Sequence, residues 1–326
     1  MKLPHRRQFL HLAAGAAALP ALPRIAKAQA YPTRPVRIIV GFGSGSAFDI
    51  LARLIGQWLS DRFGQPFVIE NRGGAGGNLG TEAVVRAPAD GYTLLLCGSP
   101  DAINATLYDK LSFNFIRDIA PVAGIARGPN VLVVHPAFPA KTIPEFITHA
   151  KANPGKVNFA SAGVGSVSHM AGELFKAMAR VNLVHVPYRG QAAALTDLIA
   201  GQVQVDFATP PPSLELIRAG KLRALAVTST TRSEALPELP TIGDVLPGYE
   251  AIQVAALGAP RNTPAAIVER LNKEINAALA DPGIKARLAD LGNEPMPMTA
   301  AGFGKFIADE TEKWANVIRA ASIKPE

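Results

Sequence analysis

A repeated alternation constrains this chain more than any other feature. From residue 36 onward, short apolar runs rich in β-branched residues are each followed by a Gly/Ser loop and then, in most cases, by helical spacing. The runs are "VRIIV", "PFVIEN", "YTLLLCG", "VNFAS", "VHVPY", "VQVDFA" and "LRALAVTS". Strands that alternate with helices predict an α/β fold with mostly parallel sheets. Ligands of such sheets bind at the carboxyl ends of the strands, where these loops lie.

Two long extended segments divide the alternation. They are "IAPVAGIARGPNVLVVHP" (119–136) and "LPGYEAIQVAALGAPRNTP" (246–264), and after the second one only helical patterns follow. The block between them is large enough for a domain of its own. We therefore predict two lobes joined by two crossing strands, with residues 31–125 and 254–326 in the first lobe and 126–253 in the second. Such lobes enclose a cleft that closes on a ligand by hinge motion.

The first thirty residues have the pattern of an export signal. A charged start, "KLPHRR", precedes the apolar "FLHLAAGAAALPALP" and the small-residue site "AQA". We predict cleavage after Ala30, so that Tyr31 becomes the new N-terminus. The run Arg6-Arg7-Gln8-Phe9-Leu10 resembles the twin-arginine signal, and the general export route stays open. The alternative is a membrane anchor, for which the apolar run is short and rich in small residues.

The charge argues against nucleic-acid binding, and the single cysteine rules out an internal disulfide. The formal net charge is +7, but residues 1–30 contribute five basic residues and no acid, which leaves 28 basic and 26 acidic residues beyond them. Because the rest is nearly neutral, a nucleic-acid-binding footprint is not supported. The single cysteine, Cys97, lies in the apolar run "YTLLLCGS" and has no internal disulfide partner. Its surroundings favour a buried thiol.

A glycine-rich stretch, "FVIENRGGAGGNLG" (67–80), raises the possibility of a phosphate-binding loop. The P-loop motif needs a Lys directly after its last glycine, and none is present here. The dinucleotide motif fails too, because Leu79 stands where its third glycine is required. Two interpretations remain: the glycines bring backbone close to the cleft, or they support a neighbouring loop that does so.

The order of these motifs resembles the Bug family, the substrate-binding receptors of tripartite tricarboxylate transport systems. The stretches that carry the resemblance include "DILARLIGQWLSDRFGQPFVIENRGGAGGNLGTEAVVRAPADGYTLLL", "KTIPEFITHAKANPGKVNFASAGVGSVSHMAGELFK" and "HVPYRGQAAALTDLIAGQVQ". The resemblance covers essentially all of residues 31–326.

What the resemblance implies is a type II-like periplasmic-binding-protein fold whose cleft holds a small carboxylate through backbone N–H groups and ordered water. It also implies a periplasmic location, membrane permease subunits as partners, action as a monomer, and neither catalysis, cofactor nor metal.

In the first lobe the resemblance points to the loop "GFGSGSAFD" (41–49). Asp49 either caps the following helix or contacts a ligand amine or an ordered water. Ser44 and Ser46 are expected to offer neutral donors to a carboxylate. The predicted ligand-contact residues of this lobe are Phe42, Ser44, Gly45, Ser46, Phe48 and Asp49, with Ser99 as a weaker candidate.

In the second lobe the resemblance points to "SAGVGSVSH" (161–169), to "VPYRG" and to Thr209. Arg189 either pairs with a carboxylate or is a solvated rim charge. His169 is alternatively a residue of the helix start with a hydrogen-bonded ring. The predicted ligand-contact residues of this lobe are Ser161, Gly163, Gly165, Ser166, Ser168, His169, Tyr188, Arg189 and Thr209.

These patterns predict a solute receptor, and two other classes compete with it. A ligand-sensing subunit for a membrane signalling protein would share the shape. A hydrolase is disfavoured, because no G-x-S-x-G motif is present and Ser168 and His169 are sequence neighbours.

Departures from the family pattern bear on the ligand. Many relatives carry Asp-Asn where this chain has Ala208-Thr209, and bulky aromatics where it has Gln253-Val254. We therefore expect a small carboxylate without an amino group, with Phe42 and Phe48 placed to pack an apolar or aromatic body.

Overall fold

The computed structural model describes residues 31–108, 110–320 and 322–324. Every helix and strand discussed below lies within Arg34–Glu326. The predicted export signal, residues 1–30, lies outside the described residues.

Eleven strands form two sheets among the described residues. They are β1 Val36–Val40, β2 Phe67–Asn71, β3 Thr93–Gly98, β4 Ile119–Pro129, β5 Val131–Val134, β6 Val157–Ser161, β7 Leu183–Pro187, β8 Val205–Ala208, β9 Arg223–Val227, β10 Ile252–Pro260 and β11 Glu294–Pro295. The first sheet has the order β11-β4-β10-β3-β1-β2, and the second has the order β7-β6-β8-β5-β9. Each sheet is the centre of one lobe, which confirms the predicted two-lobed α/β fold.

The helices follow the predicted alternation. They are α1 Ala47–Phe63, α2 Asn78–Val85, α3 Ser99–Leu107, α4 Phe115–Asp118, α5 Ile143–Ala152, α6 Val167–Ala179, α7 Gln191–Ile199, α8 Pro210–Arg218, α9 Ala265–Ala280, α10 Pro282–Asp290 and α11 Ala300–Ala320, with 3₁₀ turns at Ala75–Gly77 and Ile242–Asp244. Ser46, Thr142 and Ser166 cap α1, α5 and α6 through their side-chain oxygens. These caps satisfy N–H groups that a helix leaves without an internal acceptor.

The sheets are less parallel than the sequence suggests. The strand β1 runs parallel to β2 and β3, and β6 runs parallel to β7 and β8. The strand β10 is antiparallel to both β3 and β4, and β5 is antiparallel to both β8 and β9. The prediction of mostly parallel sheets was therefore wrong, because β5 and β10, the first strands after each passage between the lobes, run opposite to both of their neighbours.

The chain passes between the sheets at two adjacent points. It leaves the first sheet at the end of β4 and enters the second at β5, with Asn130 between them. It leaves the second sheet after β9 and returns at β10. The two passages are tied together: the backbone N–H of Asn130 donates to Thr228 Oγ1 at 2.7 Å, and the N–H of Ala251 donates to the carbonyl of Thr228 at 3.0 Å. The residue boundaries of the lobes given above stay a prediction.

The C-terminal segment packs on the first lobe, as the sequence suggests. Helices α9 and α11 pack against β4, and α11 also packs against α3. The expectation that only helices follow the second crossing was wrong in one detail, because the two-residue strand β11 pairs with β4 at the sheet edge.

No helix among the described residues combines the length and apolar character needed to cross a membrane.

Candidate functional site

Loops from both lobes enclose a two-part cleft at the carboxyl ends of the strands. The larger part, the outer cavity, has a volume of about 620 Å³. It is lined by Gly41, Phe42, Gly43, Gly73, Gly74, Ala75, Gly76, Gly77, Tyr108, Ala162, Gly163, Val164, Pro187, Tyr188 and Arg189. The smaller part, the inner compartment, has about 30 Å³. It is lined by Phe42, Ser46, Ala47, Phe48, Pro100, Ala162, Ser166, Val167, Ser168, Gly190, Gln191, Thr209 and Gln253.

Five of the helices described above begin at the inner compartment. Residues from the first turns or N-caps of α1, α3, α6, α7 and α8 all line it. Ala47 and Phe48 open α1, and Val167 and Ser168 open α6, so their N–H groups have no acceptor within their own helix. Helix α8 begins with three prolines and offers no such donors. The convergence of helix N-termini makes this part of the cleft electropositive without a charged side chain.

Asp49 holds the first-lobe loop in shape. Its carboxylate accepts hydrogen bonds from the Gly45 N–H at 2.9 Å and from Asn71 Nδ2 at 3.0 Å, and it pairs with Arg53 at 2.9 Å. Burial alone would raise the pKa of Asp49, but the Arg53 side chain, the Gly45 N–H and Asn71 hold the pKa below its usual value. Asp49 is only 2 % exposed and lines neither part of the cleft. In this arrangement Asp49 positions the loop, while Ser46 caps α1.

The second-lobe loop is held by its own side chains. Ser161 Oγ lies 2.7 Å from His185 Nε2 and accepts from the Gly163 N–H. Ser166 Oγ donates to the Gly163 carbonyl at 2.6 Å, and Ser168 Oγ accepts from the N–H of Ala162 at 2.9 Å. The hydroxyls of Ser161, Ser166 and Ser168 are thus engaged within the protein, and Ser166 and Ser168 also line the inner compartment.

The ring of His169 is also part of this network. His169 Nδ1 accepts from the Gly165 N–H at 3.3 Å, and the ring stacks on His185 with centroids 4.1 Å apart. Burial and the neighbouring His185 and Lys176 lower the pKa of His169 to about 3, so the ring is neutral. A neutral ring is the form that accepts a hydrogen bond from backbone.

The glycine-rich stretch does both things that the sequence left open. Gly73 to Gly77 line the outer cavity. A Cβ at Gly76 would lie 2.7 Å from the Val164 carbonyl in the second lobe. A Cβ at Gly80 would lie 2.8 Å from the Cα of Gly41, in the neighbouring loop. The first part of the stretch therefore reaches the cleft and the second part supports the loop beside it.

The remaining predicted residues occupy different places. Tyr188 lines the outer cavity and donates through its hydroxyl to Asp197 at 2.7 Å; burial and Asp197 raise the pKa of Tyr188 to about 12. Arg189 lies at the rim of the same cavity. Thr209 lines the inner compartment. Ser99 lines neither part, since its Oγ donates to the Ile252 carbonyl and accepts from the Val254 N–H on β10.

Phe42 and Phe48 both line the inner compartment. Their rings stack with centroids 5.2 Å apart, and Phe48 is 5 % exposed. Each ring therefore covers a face of the other, although Phe42 still lines both parts of the cleft.

Three cleft residues with polar side chains are absent from the predicted contacts. Gln191 and Gln253 line the inner compartment, and Tyr108 lines the outer cavity. The position of Gln191 in the cleft could have been predicted from the sequence, because it directly follows the strand-end motif "VPYRG". The same holds for Gln253, since it stands where relatives often have bulky aromatics. Tyr108 lies outside every sequence motif that pointed to the cleft.

Two α/β lobes, two adjacent passages between them and a cleft at the strand ends define a two-lobed solute-binding protein. The comparisons with known proteins agree. Residues 51–323 match the model of the tripartite tricarboxylate transporter family receptor. The protein BugT of Bordetella pertussis is 38 % identical over 300 residues, which cover 91 % of this chain and 92 % of BugT. The chain therefore belongs to the tripartite tricarboxylate transporter receptor family, which confirms the predicted Bug-type identity.

Solved structures extend this similarity to three dimensions. A protein of R. palustris solved with adipate is 37 % identical and superimposes with a TM-score of 0.88, covering 91 % of this chain and 100 % of that one. MatC from Rhodopseudomonas palustris, solved with bound malate, is 32 % identical with a TM-score of 0.84, covering 88 % of this chain and 100 % of MatC.

Proposed function

We propose that this protein is a periplasmic receptor that captures a small carboxylate between its lobes and delivers it to the membrane permease subunits of a tripartite transporter. It acts by binding and release, without turnover of the ligand. Support for the ligand class comes from the cleft and from the two related receptors whose structures contain dicarboxylates, adipate and malate.

The convergence of helix N-termini on the inner compartment carries the proposal. The first turns of α1 and α6 come from different lobes, with Ala47 and Phe48 on one side and Val167 and Ser168 on the other. A carboxylate between them would receive hydrogen bonds from both lobes at once. Because the donors belong to different lobes, carboxylate binding would favour the closed cleft.

The charges around the cleft restrict the ligand further. Arg189 is the only charged residue among the described residues that line either part. A second carboxylate of the ligand would therefore point out through the outer cavity toward Arg189 and water. A third carboxylate would be left without a cation partner, and burying an unpaired charge costs free energy. The geometry fits a small mono- or dicarboxylate better than a tricarboxylate.

The same lining residues disfavour amino acids. No Asp or Glu is among the described residues that line the cleft. An ammonium group would have to rely on carbonyl and hydroxyl oxygens alone, without a carboxylate partner.

Mass spectrometry of the ligand released from gently purified protein, followed by calorimetric titration, tests the proposal. We expect binding of small mono- and dicarboxylates and weaker binding of citrate and of amino acids. Arg189→Gln should weaken a dicarboxylate more than a monocarboxylate, while Arg86→Gln, on the exposed surface of the first lobe, should change neither. Binding of amino acids with no binding of simple carboxylates would contradict the proposal.

A further inference from the structure

The inner compartment contains polar atoms that a carboxylate alone does not satisfy. Gln191 is 3 % exposed and Thr209 is 7 % exposed, and both line the compartment. Gln191 Oε1 and Thr209 Oγ1 are buried without a hydrogen-bond partner among the described residues. Buried polar atoms in proteins are nearly always paired, and leaving one unpaired costs free energy. These two atoms therefore mark a place where a ligand group completes the pairing.

The orientation of Gln191 is set by Asp206. This residue of β8 is completely buried, and its Oδ2 accepts from Gln191 Nε2. With its amide nitrogen engaged by Asp206, Gln191 has its carbonyl oxygen left for a ligand. That oxygen is an acceptor only, whereas the hydroxyl of Thr209 both donates and accepts.

We infer that the inner compartment is a subsite for a hydroxyl group of the ligand, which makes Gln191 and Thr209 specificity-determining residues for 2-hydroxycarboxylates. A hydroxyl donates one hydrogen bond and accepts others, so it can donate to Gln191 Oε1 and accept from Thr209 Oγ1. This inference rests on the proposed function, because the neighbouring carboxylate is what places the hydroxyl there.

The size of the compartment supports a hydroxyl. Its volume of about 30 Å³ exceeds the ~10–15 Å³ that one water-sized group needs, so a carboxylate end and the hydroxyl on the neighbouring carbon fit in it together. A ring or a branched alkyl group does not fit. A ligand without the hydroxyl would leave both buried oxygens unpaired, which is how a polar subsite rejects a deoxy analogue.

Paired acids that differ by one hydroxyl test the inference: malate against succinate, and lactate against propionate, by calorimetric titration. We expect the wild-type protein to bind the hydroxy acid of each pair about tenfold more tightly, the scale of one buried unpaired group. Thr209→Val should reduce this preference, and Gln191→Leu should abolish it.

The two substitutions differ in their expected effect on folding. Gln191→Leu also removes a partner of the buried Asp206, so the fold of that variant is checked by circular dichroism. Thr209→Val is close in shape, and its hydroxyl has no partner among the described residues, so it reports on the subsite even where Gln191→Leu does not fold. Thr196→Val, on the exposed face of α7, is the control.

The outcomes separate the subsite from the receptor function. Equal affinity for both acids of each pair in the wild-type protein, or a preference that both variants leave unchanged, would overturn the inference while the proposed function stands. Binding of aspartate more tightly than malate would assign the subsite to an ammonium group and overturn it as well. Failure of every carboxylate to bind would contradict the proposed function, and the inference would fall with it.

Discussion

Gly165 in the second lobe lies directly against the Asn104 side chain of the first lobe, so that a Cβ at position 165 would overlap Asn104 Oδ1. The amide of Asn104 donates in turn to the Gly76 carbonyl at 2.9 Å. Gly76 itself leaves no room for a Cβ beside the Val164 carbonyl. The lobes thus meet through bare backbone at the cleft, and any added methyl group would hold them apart.

Replacing Gly165 with alanine should impair closure of the cleft and weaken ligand binding by about tenfold or more, because the new Cβ overlaps Asn104 and tight overpacking costs on the order of 1–3 kcal/mol. The matched control is Gly201→Ala, where the backbone φ is 75° against 81° at Gly165 and no atom would lie within 4 Å of the new Cβ. Both variants carry the strain of a positive φ. Equal loss of affinity in the two would show that backbone strain, and not contact between the lobes, is responsible.

Hinge closure itself should be visible in the wild-type protein. Two adjacent passages between the lobes allow rotation about one axis, and a ligand held by donors from both lobes favours the closed state. Small-angle scattering should show a smaller radius of gyration at saturating ligand than without ligand. An identical scattering curve in both conditions would argue against a hinged cleft.

Thr228→Val should destabilise the fold at the passages. The hydroxyl of Thr228 accepts from the Asn130 N–H at 2.7 Å, and Thr228 is completely buried. Valine has nearly the same shape but leaves the buried N–H unpaired, which costs about 1–3 kcal/mol. Urea denaturation should therefore show a lower free energy of unfolding.

The control for this substitution is Thr148→Val on α5. The exposed Thr148 side chain donates only to the carbonyl of Pro144, one turn earlier in its helix, so its loss should change stability little. Equal effects of the two valines would contradict a special role of Thr228.

Asp206 should make stability depend on pH. Burial raises the pKa of Asp206 from 3.8 to about 8, although Gln191 and a backbone hydrogen bond oppose the shift. The folded state therefore holds this proton more tightly than the unfolded state. Its contribution to stability is complete below about pH 4 and is lost as the pH rises through about 8. Asp206→Asn should lose less stability than the wild-type protein between about pH 5 and pH 8, measured by urea denaturation. An equal loss of stability with rising pH in both proteins would contradict the role of Asp206.

Export with cleavage after Ala30 remains a prediction from the sequence. Intact-mass measurement of the protein recovered from the periplasm should show Tyr31 as the first residue, because "AQA" provides small residues at the cleavage positions. Detection of Met1 at the N-terminus of the periplasmic protein would contradict it.

The sequence by itself determined the order of strands and helices and the position of the loops at the strand ends. Those features depend on local patterns: β-branched runs, helical spacing, and Ser or Gly at helix starts. Local pattern and family resemblance together were therefore enough to predict that the loops around Phe42, Gly163 and Tyr188 lie at the cleft, and all three residues line it.

Only the tertiary structure decided how the cleft works. The direction of β10, the pairing of Gln191 with Asp206 and the contact of Gly165 with Asn104 each join segments that are distant or unpatterned in sequence. The sequence also did not reveal that the hydroxyls of Ser161 and Ser166 form hydrogen bonds within the protein. Which polar atoms remain for a ligand depends on which neighbours have already paired with them, and the packing of the two lobes settles that pairing.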